Sequence, residues 1–352
     1  MMDMLSETQW VALIGLGGGI LLGLAARLGR FCTLGAIEDV LYGGSDVRLR
    51  LWGVAIGVAI MGSFGLISVG ALDARQSYYL SVPWMPMASI LGGLTFGYGM
   101  ALAGNCGFGA IARLGGGDLR SFVIVLVMGV SAYGVLNGPL APLRTWLFPQ
   151  GTLIGDIPPG VAHTVAHATG APLGVVGLLI GLLVLSISLG TRRVWAAPGP
   201  LIWAVVVGLA IVSGWAGTQW VAARGFDGLP VVSHSFSAPV GEAILWTMTG
   251  SARPLSFAMG SVAGVWCGAC IGSLIKGHFR WEACDDPREL RRQIFGAGLM
   301  GMGAIVALGC TVGQGITALS VLAYSGPVTF VAIFVGAAIG LRHLIEGFRP
   351  AQ

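Results

Sequence analysis

Nine apolar runs, each long enough to cross a lipid bilayer, dominate this chain and leave few folds open to it. They fall at about 10–28, 51–72, 88–112, 121–140, 172–190, 200–216, 255–275, 294–318 and 321–341, and a spanning helix needs roughly 17 to 25 residues. Only 10% of the 352 residues are charged, against about 25% in soluble domains, so the polar faces that a water-soluble enzyme needs are missing. The expectation is an all-α integral membrane protein of about nine transmembrane helices, in one polytopic domain over 1–352. Between the runs, 141–171 reads as a Pro- and Gly-rich loop with short helices. The segment 238–250 is too short to cross and contains Glu242, so it reads as an interfacial or re-entrant piece.

Loop charge gives an orientation, because Lys and Arg favour the cytoplasmic side. With nine spans, one set of loops carries 15 basic residues and the other only Arg75, Arg144, Arg224 and Arg253. This places the N-terminus outside and the C-terminus in the cytoplasm of a bacterial inner membrane. The first residues carry Asp3 and Glu7 and no basic residue, unlike the positive start of a secretory signal. The first run is therefore expected to stay as an anchor. The loop between Lys276 and Arg292 mixes both charge signs, which suits anionic lipid or a partner protein and argues against nucleic acid.

Glycine accounts for 59 residues. It recurs four apart at Gly15, Gly19 and Gly23, at Gly53 and Gly57, and at Gly93 and Gly97, a stripe that lets helix backbones approach closely. The stretch GFGAIARLGG at 107–116 has a superficial dinucleotide-loop look, but no strand precedes it.

Three cysteines share a local frame: Cys32-Thr-Leu-Gly, Cys106-Gly-Phe-Gly and Cys310-Thr-Val-Gly, each followed within three residues by Ile. The stretches 90–114 and 294–319 both run from a Gly-dense helix into the motif. Under the orientation above they point opposite ways, so the halves at about 10–140 and 172–341 read as an inverted pseudo-repeat, a pattern of transporters with discontinuous helices at the substrate site. Gly104, Gly107, Gly309 and Gly313 are expected to break helices and expose backbone N–H groups to an anion. A thiol there adds a weak S–H donor and a polarizable sulfur. Cysteines also serve as small apolar fillers, but three copies in one frame favour a working role. Gly109, Asn105, Gln314 and Arg30 flank the thiols and join them as supporting residues. Arg27, Arg30, Glu38 and Asp39 read either as functional intramembrane charges or as snorkelling boundary residues.

GRFCTLGAIED, GNCGFGAI and GCTVGQGI resemble the cysteine motifs of the YeeE/YedE family of bacterial membrane proteins, and the chain is similar to its SoxT-type members linked to thiosulfate oxidation. The resemblance covers nearly the whole chain. It implies an hourglass-shaped helical protein with membrane-embedded short helices, which admits thiosulfate from outside and hands it along Cys32, Cys106 and Cys310 by transient S–H hydrogen bonds. Asn105 stands where many relatives are expected to carry glycine. Any cytoplasmic sulfur-carrier protein or regulator that receives the product is expected to be a separate chain.

Other constellations carry weaker signals. Cys267 and Cys270 form C-x-x-C, which suits zinc or disulfide exchange, but no second ligand pair lies nearby, and packing is preferred. Cys267 is also a weak candidate for the second-half counterpart of Cys32. Cys284 reads as a solvent-side thiol. His163 and His167, four apart, lack a third metal ligand, and no cofactor or metal is called. The reading is a permease for thiosulfate or a related sulfur anion and not an enzyme. Two alternatives stay open, a membrane sensor that signals to a cytoplasmic regulator of sulfur oxidation and, less favoured, a thiol oxidoreductase using Cys267 and Cys270.

Overall fold

A computed structural model describes residues 6–149, 151, 157–283 and 286–347; Cys284 lies outside them. The described residues are helical, with no strand among them. The first half contains α1 (Glu7–Leu28), α2 (Thr33–Leu41), α3 (Val47–Ser68), α4 (Tyr78–Ser81), α5 (Pro86–Ala103), α6 (Gly107–Leu114) and α7 (Leu119–Leu136). The 141–171 loop contributes α8 (Ala141–Leu147) and α9 (Val161–Thr169). The second half follows with α10 (Leu173–Leu189), α11 (Arg192–Trp195), α12 (Pro198–Ala222), α13 (Ser237–Thr249), α14 (Phe257–Ile275), α15 (Pro287–Val306), a π-helix (Gly313–Ala318) and α16 (Ser325–Glu346).

Seven helical stretches are long and apolar enough to cross a membrane, built on α1, α3, α5, α7, α12, α14 and α16. Two of the nine expected spans differ in kind: α10 is apolar with 17 residues, and α15 opens on the charged turn PRELRR. The local start signals are visible in the sequence. Ser6 and Gln9 form a reciprocal capping box on α1, which satisfies two amides at that helix end. Pro86 opens α5, where its missing N–H costs nothing.

Small-residue stripes bring the long helices together. A Cβ at Gly15, Gly19 or Gly23 would collide with the carbonyls of Phe257, Ser261 and Val265 on α14. In return, Cβ atoms at Gly260, Gly264 and Gly268 would strike the carbonyls of Ala12, Leu16 and Ile20. Two glycine faces thus bring α1 and α14 into backbone contact, which maximises dispersion where lipid removes the hydrophobic drive for association. Gly57 packs on Leu185 of α10, and Gly93 and Gly97 on α16.

Packing pairs the helices in an exchanging pattern. Helix α1 lies on α14 and α12 on α3; α5 lies on α16 and α15 on α7. The short helices follow suit, with α6 against α7 and α14, and the π-helix against α16 and α3.

One end of the bundle collects basic side chains. Lys276 Nζ donates to the carbonyls of Arg27 and Leu28 at 3.0 and 3.2 Å, capping α1 where its dipole favours a cation. The loops around Gly116 and Glu282 bond through their backbones, Arg280 N to Gly116 O at 3.2 Å and Leu119 N to Glu282 O at 3.0 Å. At the opposite end, Glu7 accepts from the amides of Phe226 and Asp227 at 2.7 and 3.2 Å.

Candidate functional site

Each motif cysteine stands at the start of a short helix. Cys32 is the N-cap of α2 and Cys106 the N-cap of α6, while Cys310 precedes the helical stretch 311–320 that contains the π-helix. Cys106 Sγ accepts the Gly109 amide at 3.3 Å, and Cys310 Sγ accepts the Gly313 amide at 3.5 Å. The last glycine of C-x-x-G is thus the third helical residue, whose N–H has no partner within its own helix. Cys32 makes no such cap bond. Cys106 and Cys310 are fully buried, whereas Cys32 is half-buried.

The chain reverses into each helix through one left-handed residue two positions before the cysteine: Arg30 at φ 54°, Gly104 at φ 77° and Leu308 at φ 59°. The expected helix breaker Gly104 has this role. In the third motif Leu308 takes it, and Gly309 does not. A left-handed non-glycine residue costs about 1–2 kcal/mol, and such strain persists only where its surroundings fix it. Gln314 supplies that fixation, donating through Nε2 to the carbonyls of Ala307 at 2.8 Å and Leu308 at 3.2 Å. Sequence reading missed this turn, because leucine gives no local sign of positive φ.

The glycines also make room. A Cβ at Gly107 would stand 2.6 Å from Met128 Sδ, one at Gly309 3.0 Å from Gln314 Cγ, and one at Gly313 2.6 Å from Ser235 Oγ. At Gly109 a Cβ would find ordinary contacts of 3.5 Å or more, so its place in the motif is not a matter of space.

Several buried polar atoms in or near the cysteine motifs have no partner among the described residues: Thr33 Oγ1, Asn105 Oδ1, Gln314 Oε1 and Ser237 Oγ. Buried polar groups are nearly always satisfied, so these atoms keep hydrogen-bonding capacity to spare near the motifs. Cys106 lies within electrostatic range of both Cys32 and Cys310 and is hydrogen-bonded to the Thr311 side chain.

Two cavities flank this line. One of about 390 Å³ is lined by Cys32, Arg27, Arg30, Arg48, Arg113, Lys276 and Glu38. The other, about 320 Å³, is lined by Tyr79, Ser235, Ser237, Glu242, Leu308 and Gly309. Phe257 at the start of α14 lines the second, and Gly272 and Ser273 near its end line the first. Fifteen helical residues separate them by about 22 Å. Asp39 pairs with Arg48 at 3.1 Å; the Arg30 and Arg113 guanidinium groups make no ion pair within 4 Å among the described residues.

The model of a family described as sulphur transport matches residues 28–339, a span that contains all three cysteine motifs. The chain belongs to the sulphur-transport family. It is 28% identical over 342 residues to the thiosulfate transporter TsuA of Escherichia coli strain K12, covering 92% of each chain. It is 25% identical over 334 residues to the thiosulfate transporter TsuA of Spirochaeta thermophila, covering 92% of this chain and 96% of the relative. Both names describe transport, a non-enzymatic role, and with the apolar helices they make this sulphur-transport chain a multi-pass membrane protein.

The remaining sequence candidates in this family member line neither cavity. Cys267 and Cys270 sit within the continuous helix α14, half-buried, so Cys267 starts no short helix. The short helix α13 begins nearby in sequence at Ser237, just after Ser233 and Ser235. This polar cluster within an apolar region was the signal that could have found it. On α9, outside the membrane-crossing helices, His163 is buried and His167 exposed. Burial, and then the charge of Arg75, push His163 below its usual pKa.

Proposed function

We propose that the chain is an inner-membrane permease that imports thiosulfate or a related sulfur anion through Cys310, Cys106 and Cys32 in that order. The carrying observation is that two buried thiols and a half-buried one start short helices between a hydroxyl-lined cavity and a basic one. The named activity of both relatives, over nine-tenths of the chain, supports the substrate class.

Helix N-termini present partial positive charge and free N–H groups to an anion. Each protonated thiol donates its S–H to the soft terminal sulfur of the ion, which moves on when the next thiol offers the same bond. No covalent bond forms. The Gly109 and Gly313 amides, donating to Sγ, hold the sulfurs and leave their protons free to point along the path. The cations around Cys32 then attract the anion to the far cavity.

In this reading the basic cavity faces the cytoplasm and the N-terminus lies outside; the gathering of Arg27, Arg113 and Lys276 at one end agrees with the loop charges. The exchanging helix pairs support two inverted halves, with α10 and α15 added to the seven long apolar stretches as spans and two opposed cavities giving an hourglass. A separate cytoplasmic sulfur-carrier protein would receive the ion. Uptake of sulfur-labelled thiosulfate into vesicles containing only this protein tests the proposal: accumulation supports a permease, and its absence in correctly inserted protein leaves a sensor.

A further inference from the structure

The cavity at the Cys310 end carries a donor set that the thiol relay does not use. Helix α13, 13 residues long, begins there at Ser237. Ser237 is 1% exposed, and its Oγ has no partner among the described residues, although it lines the cavity. Ser235 Oγ stands 3.9 Å from Cys310 Sγ. The Tyr79 hydroxyl faces Ser235 and Cys310 and would be 3.1 Å from a Cβ at Gly313. Three hydroxyls and one thiol therefore surround the entrance to the third motif.

The backbone that bears these hydroxyls is fixed on both sides. Thr317 Oγ1 donates to the His234 carbonyl at 2.6 Å, tying the segment to the π-helix. Ser233 Oγ donates to the Ile211 carbonyl at 2.7 Å, tying it to α12. A π-helix within an α-helical stretch is uncommon and recurs at functional sites. Glu242, five residues beyond Ser237, also lines the cavity, its backbone about 7.5 Å farther along the helix axis.

We infer that Ser235 and Ser237, with Tyr79, form an oxygen-reading site that holds the SO₃ face of the anion and turns its terminal sulfur toward Cys310. The inference rests on the permease reading and adds a specificity step to it. Thiosulfate has two unlike ends: compact oxygens that take strong O–H bonds, and one soft sulfur suited to a weak, polarizable S–H partner. A site with only thiols would read one end. Hydroxyls at the start of α13 add the helix terminus to the oxygen contacts. Sulfate satisfies the hydroxyls but offers Cys310 no sulfur, so it binds and is not handed on. A hydroxyl-rich outer site thus places oxyanion recognition before the thiol selection step.

The test uses the full-length protein with two separate readouts. Binding of sulfur-labelled thiosulfate to the detergent-solubilised protein is displaced by unlabelled sulfate, or by methanethiosulfonate, in which a methyl group replaces one oxygen. Uptake is measured in proteoliposomes. In S235A/S237A the thiosulfate Kd and the uptake KM should rise tenfold or more, sulfate should lose its power to displace, and methanethiosulfonate should weaken less than thiosulfate. S235C, which replaces the hydroxyl by a larger and softer thiol, should lower sulfate affinity while retaining that of methanethiosulfonate. Unchanged Kd and sulfate displacement in monodisperse S235A/S237A and S235C would overturn the inference and leave the permease intact. Wild-type protein that binds both anions through these serines but accumulates no thiosulfate would retain the site and remove the permease reading.

Discussion

Ser235 Oγ and Cys310 Sγ, 75 positions apart in the chain, face one another at 3.9 Å. Their meeting brings the loop before α13 onto the turn that starts the π-helix. Gly313 makes the approach possible, since a Cβ there would stand 2.6 Å from the serine oxygen. The spacing of C-x-x-G is thus explained twice at this motif: its glycine donates an N–H to the thiol and gives the opposing hydroxyl its room.

The relay predicts a common failure at any link. C32A, C106A and C310A should each reduce thiosulfate uptake at least tenfold while the proteins still insert, and Cys→Ser should rescue poorly, because a hydroxyl is smaller and harder than a thiol. Since one missing link stops the sequence, double variants should be no worse than the singles. Normal uptake by the triple Ala protein would return these residues to packing.

Backbone strain at the turns gives stability changes of opposite sign. Gly104 at φ 77° has no atom within 4 Å of an added Cβ, so G104A should lose about 1–2 kcal/mol through conformation alone. Arg30 is exposed at φ 54°, so R30G should gain about 1 kcal/mol while weakening uptake at low thiosulfate. Thermal unfolding in detergent, beside initial uptake rates, checks both signs.

His163 gives the loop that carries α9 a pH dependence. Its two ring nitrogens have no partner among the described residues, and burial lowers its pKa from the ordinary value of about 6.5. The unfolded loop therefore takes up a proton before the folded one does. The histidine's contribution is fully present above about pH 6.5 and declines as pH falls toward the lowered folded value. Hydrogen exchange at Val161 and Tyr324, whose amides bond Leu322 O at 2.8 Å and Pro159 O at 3.1 Å, should quicken on acidification. H163F should flatten the trend; an equal acid response in both proteins would assign it elsewhere.

The minor cysteines should be dispensable. Cys267 and Cys270 lie on an unbroken helix and line neither cavity, so C267A/C270A should keep uptake within twofold of wild type. Loss comparable to that of a relay variant, at equal expression, would point to redox chemistry.

Reporter fusions check sidedness. Tags after Gly117 or Arg193 should report cytoplasm, and one near Gly151 should report the outside. The reverse pattern would invert the assigned direction of transport.

Hydropathy and spacing are local properties, and they sufficed for what is written within one helix length. The long apolar helices, the glycine faces on α1, α3 and α5, the basic end of the bundle and the three cysteine frames were all legible in this way. So was the break at Gly104, because glycine favours positive φ. The rest depended on residues distant in sequence. Leu308 takes a left-handed turn that nothing in its own sequence neighbourhood announces, because the amide of Gln314 holds the neighbouring carbonyls. Ser235, Ser237 and Tyr79 have no motif of their own; Ser235 and Tyr79 meet Cys310, and Ser237 lines the same cavity as they do, only after α12, α13 and the π-helix pack. Sequence determined which segments enter the membrane and which thiols start helices; tertiary packing decided which hydroxyls face them, because such contacts arise from the whole bundle.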